Sequence, residues 1–385
     1  MQGSRRLSLQ FLLCHGNSRH STYPAAADAN LPVLSLGCET ACDLACHLLT
    51  ARNAIGPFSD TLLEVASSVH LSGSRRVHCL LLHAEAKPVT FAIAVKQDPY
   101  QTYILSDDSA QSRVEVVPER GGIVTRWRIQ GQDLLYLDTE RFADPTKSVR
   151  GGIPILFPIC GDLPDDTYTL EGKSYQLPRH GFARDLPWSV SDRVTDGHAG
   201  LTLVLKSNER TREQYPFDFQ VTFAYQLRGK TLTLQQRYSN YSASPMPFSL
   251  GLHPYFQVGD KQQLAFDIPA ARYFDRANNV GGPFNNSFDF TRNEVDATLT
   301  PLARREASFE DRARGIKLTV RYSEECSTLV FWMLQDKPFI CLEPWSAPRN
   351  ALITGEHLLS LEPGASLDTT VELVADTLRK ENDDT

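Results

Sequence analysis

Residues 217–225 read Phe-Asp-Phe-Gln-Val-Thr-Phe-Ala-Tyr. Phe217, Phe219, Val221, Phe223 and Tyr225 alternate with Asp218, Gln220, Thr222 and Ala224. Successive side chains of a strand point to opposite faces, so this period of two predicts a half-buried strand. The pattern recurs on both sides. Leu201, Leu203 and Leu205 alternate with Thr202 and Val204, and Ile316, Leu318, Val320 and Tyr322 alternate with Lys317, Thr319 and Arg321. Arg228-Gly229-Lys230 reads as a turn between two such runs. Helical periodicity is scarce. Many short strands in one continuous stretch from about residue 90 predict an all-β fold, a large antiparallel β-sandwich, with no internal repeat or linker.

The bulk properties agree. The chain has 385 residues and 41% hydrophobic content, enough for one large all-β domain or two ordinary ones. The formal charge is -7, without the basic excess of a nucleic-acid-binding chain. No apolar run approaches the roughly 20 residues that span a bilayer. The most apolar stretch, 151–161, is interrupted by Pro154 and Pro158. No nucleic-acid or membrane partner is therefore expected.

Residues 1–87 differ from the rest. They lack acids before Asp28 but contain Arg5, Arg6 and Arg19. This is either an organelle-transit composition or an unstructured extension, including one created by a start placed too far upstream. The reading adopted is a poorly structured extension over 1–87, a sandwich over 88–376 and a flexible tail over 377–385. Five of the eight cysteines, Cys14, Cys38, Cys42, Cys46 and Cys79, fall in the first 79 residues. A disulfide framework would spread through the folded part, so a reducing, cytoplasmic location is expected, with an organelle as the alternative. Cys38, Cys42 and Cys46 would share one helix face beside His47. They lack the second ligand pair of a zinc site and read as a small apolar face.

Four segments break the strand pattern with polar residues in apolar or Gly/Pro-rich surroundings. They are RGGIPILFP (150–158), LPRHGFARDLPW (177–188), FSLGLHPYF (248–256) and FICLEPWSAPRNAL (339–352). A buried charge needs a partner, so such clustering points to a site. His253 lies in an apolar and aromatic context and Glu343 just after a strand-like run. Each alone reads as a satisfied core residue or, for Glu343, as a salt-bridge partner of Arg349. Together they make a candidate acid–base pair.

In this order, RGGIP, HGFAR, GLHPYF and CLEPW resemble the aldose 1-epimerase family of galactose mutarotase-like proteins, in the branch with hexose-6-phosphate mutarotases. The likeness runs from about residue 90 to 375. It implies a galactose mutarotase-like supersandwich with its site in a cleft on one sheet. It implies His253 as the acid that protonates the ring oxygen and Glu343 as the base that takes the anomeric proton. It implies Arg150 and Arg184 as holders of a hydroxyl or phosphate, and His180 as a cleft-lining donor. It implies Arg179 at a substrate-binding position, where hexose-phosphate relatives have Gln rather than Arg, and Asp275 matches an acid that accepts from sugar hydroxyls.

The chemistry suits such residues. Mutarotation opens a cyclic hemiacetal and recloses it, which needs one proton removed and one delivered, with no metal or other cofactor expected. Arginine's planar fork grips two acceptors of a sugar or phosphate. Trp188, Trp345, Tyr255 and Phe256 are candidates for sugar-facing surface or for core. The expected activity is an aldose 1-epimerase acting on a free hexose or on a hexose 6-phosphate, as a monomer. Two other readings are a non-catalytic carbohydrate-binding or regulatory module on the same fold, and a sandwich domain of a glycoside-processing enzyme.

Overall fold

The computed structural model describes residues 90–97 and 99–378. The readings of residues 1–87 and of the Cys38-Cys42-Cys46 face lie outside them, as does the tail beyond 378. Within them the alternating runs are strands. In Phe219–Arg228, Phe219, Val221, Phe223, Tyr225 and Leu227 are buried, and the residues between them are half-buried. This strand pairs antiparallel with Thr231–Asn240, and Arg228 faces Thr231 across the two-residue turn of Gly229 and Lys230. Gly229 has φ +59°, the left-handed conformation that such a hairpin turn requires.

Three sheets carry the architecture. An N-terminal meander runs in chain order through Phe91–Gln97, Gln101–Asp107, Ser112–Val117, Ile123–Ile129 and Gln132–Asp133. An eight-stranded sheet holds, in spatial order, Leu264–Asp267, Glu306–Asp311, Ile316–Tyr322, Ser366–Thr377, Thr231–Asn240, Phe219–Arg228, Ala199–Lys206 and Ser189–Val194. The third sheet runs Val280–Pro283, Ala270–Asp275, Glu294–Leu302, Thr328–Leu334, Phe339–Trp345, Gly251–Leu252 and Ile155–Leu156, with Tyr255–Gln257 also paired to Phe339–Trp345. Helices among the described residues are short: Thr139–Ala143, Glu209–Gln214 and Ala351–Thr354.

The second and third sheets face each other across one core. Phe331 of the third meets Phe266 of the second edge to face at 5.6 Å, and Phe256 meets Phe309 at 5.4 Å. The strand Phe339–Trp345 is buried along its whole length. Its alternation sends Ile340 and Leu342 into this core. Phe339 and Cys341 join a separate cluster with Tyr255, and Trp345 joins another. Cys341, Glu343 and Trp345 thus share the face turned away from the main core.

Candidate active site

The four polar segments converge through backbone pairing. Gly251 and Leu252 of GLHPYF pair with Leu156 and Ile155 of the first segment, and the His253 amide donates to Pro154 O at 3.0 Å. Tyr255 pairs with Cys341 and Gly251 with Trp345 of the last segment. The second segment docks as a turn, with the Phe182 amide donating to Phe157 O at 3.1 Å. The glycines make these approaches possible. Gly181 has φ +69°, and a Cβ there would stand 2.3 Å from Phe157 O. Gly152 has φ +65°, and its Cβ would stand 2.3 Å from Val124 O.

His253 and Glu343 meet in this arrangement. His253 Nδ1 lies 3.4 Å from Glu343 Oε1 and makes no aligned hydrogen bond among the described residues. Glu343 is 1% exposed and His253 8%. The second Glu343 oxygen accepts from Trp345 Nε1 at 3.1 Å. Burial raises the Glu343 carboxyl well above its ordinary range, Asp296 adds to the rise, and Arg349 and Arg184 oppose it. Burial pushes the His253 imidazole well down, and Arg184 pushes the same way. Each group is thus driven toward its neutral form, and the pair holds one transferable proton.

Aromatic rings frame the pair. Tyr255 stacks on His253 with centroids 4.6 Å apart, and Trp332 meets His253 edge to face at 5.9 Å. Of the four aromatics singled out from sequence, Tyr255 and Trp345 line the site. Phe256 lies in the core against Phe309, and Trp188 packs against Phe223.

His180 stands 5.6 Å from His253 between ring centroids. Its φ is +67°, an uncommon conformation for a non-glycine residue. Two backbone links hold it, His180 N to Gly161 O at 2.7 Å and Gly161 N to His180 Nδ1 at 3.1 Å. Because Nδ1 accepts, the proton of the neutral ring sits on Nε2, free to donate.

The arginines divide into two groups. The Arg150 guanidinium lies 5.6 Å from the Trp332 ring centroid and has no carboxylate at ion-pair distance among the described residues. Arg184 donates to Arg179 O at 2.8 Å, and its nearest carboxylate is Asp185 at 3.7 Å. The other group converges on Asp162, which receives Arg179 at 3.2 Å, Arg276 at 2.9 and 2.8 Å, and Arg349 at 3.3 Å. Burial alone would raise Asp162, but the Arg276 hydrogen bond and the charges of Arg349 and Arg179 outweigh it and hold the carboxyl low. Arg349 also grips Asp296. The pairing of Glu343 with Arg349 considered from sequence is not made directly.

Asp275 is buried beside these groups, but its oxygens are engaged locally. They accept from Ala277 N, Asn278 Nδ2 and Asp296 N at 3.1, 2.7 and 3.1 Å. Sequence reasoning passed over Asp162, Arg276, Asp296 and Trp332. Asp162 lies four residues beyond the first polar segment, inside CGDLPDD, which reads as a loop. Asp296 occupies an ordinary polar position in an alternating strand, and nothing in the sequence distinguishes it.

A family sequence model described as Aldose 1-epimerase matches residues 102–373. The crystal structure of the Slr1438 protein from Synechocystis sp. PCC 6803 is 46% identical, covering 74% of this chain and 99% of that one, with a TM-score of 0.72. A galactose mutarotase-like protein from Clostridium acetobutylicum, 19% identical over 75% of this chain and 99% of its own, shares the fold with a TM-score of 0.64. A protein of Salmonella typhimurium named as a candidate glucose-6-phosphate 1-epimerase is 29% identical over 163 residues, 42% of this chain and 51% of that protein.

Proposed function

The chain belongs to the aldose 1-epimerase family, and from that premise we propose that His253 and Glu343 open and reclose the ring of a hexose 6-phosphate, with the free hexose as a second substrate. It is an isomerase acting on a sugar or sugar phosphate. The observation that carries the catalytic reading is the buried contact of His253 Nδ1 and Glu343 Oε1 at 3.4 Å.

The steps balance in protons and bonds. The one proton of the pair passes from Glu343 to His253, the Glu343 carboxylate takes the proton from the anomeric hydroxyl, the C1–O bond to the ring oxygen breaks, and the His253 imidazolium delivers its proton to that ring oxygen. Rotation about C1–C2 presents the other face of the aldehyde. The hydroxyl then adds back, His253 recovers its proton, and Glu343 returns the other. The shifts suit these directions, since a raised carboxylate is the stronger base and a depressed imidazolium the stronger acid. His180 Nε2 is free to hold a sugar hydroxyl. Asp275 serves by fixing the backbone of Asp296, and Arg179 by joining Asp162.

Arg150 favours the phosphate ester. An unpaired guanidinium on Trp332 has donors free for an anion, and Arg184, whose one ion pair among the described residues is the long contact to Asp185 at 3.7 Å, adds a second cation. The test is anomer exchange followed by NMR on fresh α-glucose and α-glucose 6-phosphate. Faster exchange on the phosphate, with KM raised at least about 10-fold in Arg150→Ala on that substrate alone, supports the reading. Equal handling of both sugars, unchanged in Arg150→Ala, would reject the phosphate assignment. No acceleration of either would reject the catalytic one.

A further inference from the structure

Cys341 has no part in the chemistry above, yet it lies inside the site. It stands two residues before Glu343 on the same strand face, and it pairs with Tyr255, whose ring stacks on His253. One ligand atom each from His253, Cys341 and Glu343 lie within 4.8 Å of one another, and all three residues are buried. His253 Nδ1 is enclosed and makes no hydrogen bond among the described residues. A neutral imidazole nitrogen, a thiol and a carboxylate are the ligand types that a borderline-soft divalent ion selects.

We propose that His253, Cys341 and Glu343 form a binding site for Zn²⁺ or a similar thiophilic divalent cation, and that an ion held there blocks catalysis by occupying both proton-transfer groups. Three protein ligands leave the fourth tetrahedral position for water or a sugar oxygen. Tetrahedral ligands at 2.0 to 2.3 Å from zinc stand roughly 3.5 Å apart, so from separations of up to 4.8 Å the trio closes in by at most about 1.3 Å on binding. The charge balances. Cys341 releases its thiol proton and the His253–Glu343 pair its one proton to solvent, and the thiolate and the Glu343 carboxylate then neutralise the two charges of the ion. Arg150, Arg184 and Arg349 therefore face a complex with no net charge. Mg²⁺, which demands octahedral oxygen ligands, is a poor match.

The blocking half of the proposal rests on the catalytic reading of His253 and Glu343, and the binding half does not. The experiment uses the full chain stripped with chelator and titrated with Co²⁺, Zn²⁺ or Mg²⁺ alone. Wild type should show a thiolate-to-cobalt charge-transfer band and bind one equivalent of Zn²⁺ more than Cys341→Ser and Cys341→Ala. Two variants are used because the residue is buried, and both should retain anomer exchange. Zn²⁺ should suppress wild-type exchange more than 10-fold, EDTA should restore it, and Mg²⁺ should do nothing. Either variant should need at least about 100-fold more Zn²⁺ for the same inhibition, matching the upper range for loss of an outer-shell partner. The same stoichiometry and cobalt spectrum in wild type and both variants would overturn the site. Binding lost in the variants, with wild-type exchange unaffected by Zn²⁺, would overturn the block alone.

Discussion

Arg349 is held by Asp296 rather than by Glu343: its Nη2 lies 2.8 and 2.9 Å from the two Asp296 carboxylate oxygens. Asp296 therefore acts on Glu343 twice. Its own charge raises the Glu343 carboxyl, and it partly occupies the arginine that lowers it. Asp296→Asn removes the first influence and frees the second, and both changes move Glu343 down. The alkaline limb of the kcat/KM profile, where the pair loses its one proton from Glu343, should shift to lower pH, with the fold unaltered by circular dichroism. A limb that stays in place or moves up would disprove this link.

His253→Asn and Glu343→Gln should each lower kcat by about 10²–10⁴-fold, the usual contribution of a positioned acid or base. Because one proton serves both partners, the double variant should fall little below the worse single one. NMR exchange rates on glucose 6-phosphate give the comparison. Multiplicative losses would mean that the two residues act independently.

His180 carries a pH signature of its own. Burial, aided by the charges of Arg184, His253 and Arg349, pushes its imidazole well below the ordinary value of 6.5. The unfolded chain takes up a proton there that the folded chain refuses, so stability is lost as pH falls below 6.5. His253 shifts the same way, but Glu343 keeps a proton that the unfolded chain gives up, so the pair cancels between the ordinary carboxylate and imidazole values. One uncompensated proton gives a slope of about 1.4 kcal/mol per pH unit down to about pH 5. His180→Asn should flatten that slope in urea midpoints measured against pH. A slope identical to wild type would refute the account.

Gly181→Ala should destabilise the protein by about 2–4 kcal/mol. The new Cβ meets Phe157 O at 2.3 Å, and the φ of +69° disfavours any side chain. Urea denaturation reads the loss. A cost below about 0.5 kcal/mol, the range of ordinary surface changes, would show that the turn yields freely.

Much of the fold was legible because a strand writes its two faces into alternate residues. Phe219, Val221, Phe223 and Tyr225 are buried as the alternation predicts, and Leu201, Leu203 and Leu205 are buried beside them. The fully buried strand Phe339–Trp345 was harder to interpret, since both of its faces are covered and its apolar run has no alternation. Cys341 consequently attracted no notice, although it faces the same way as Glu343.

The sequence by itself determined the all-β sandwich and the four polar segments of an aldose 1-epimerase, because periodicity and local context are properties of neighbours along the chain. It also named His253 and Glu343. Only the tertiary structure decided which charges meet. Asp162 gathers arginines from positions 179, 276 and 349, and Arg349 goes to Asp296. These partners are separated by 17 to 187 positions, and electrostatic attraction depends on distance through space rather than along the chain.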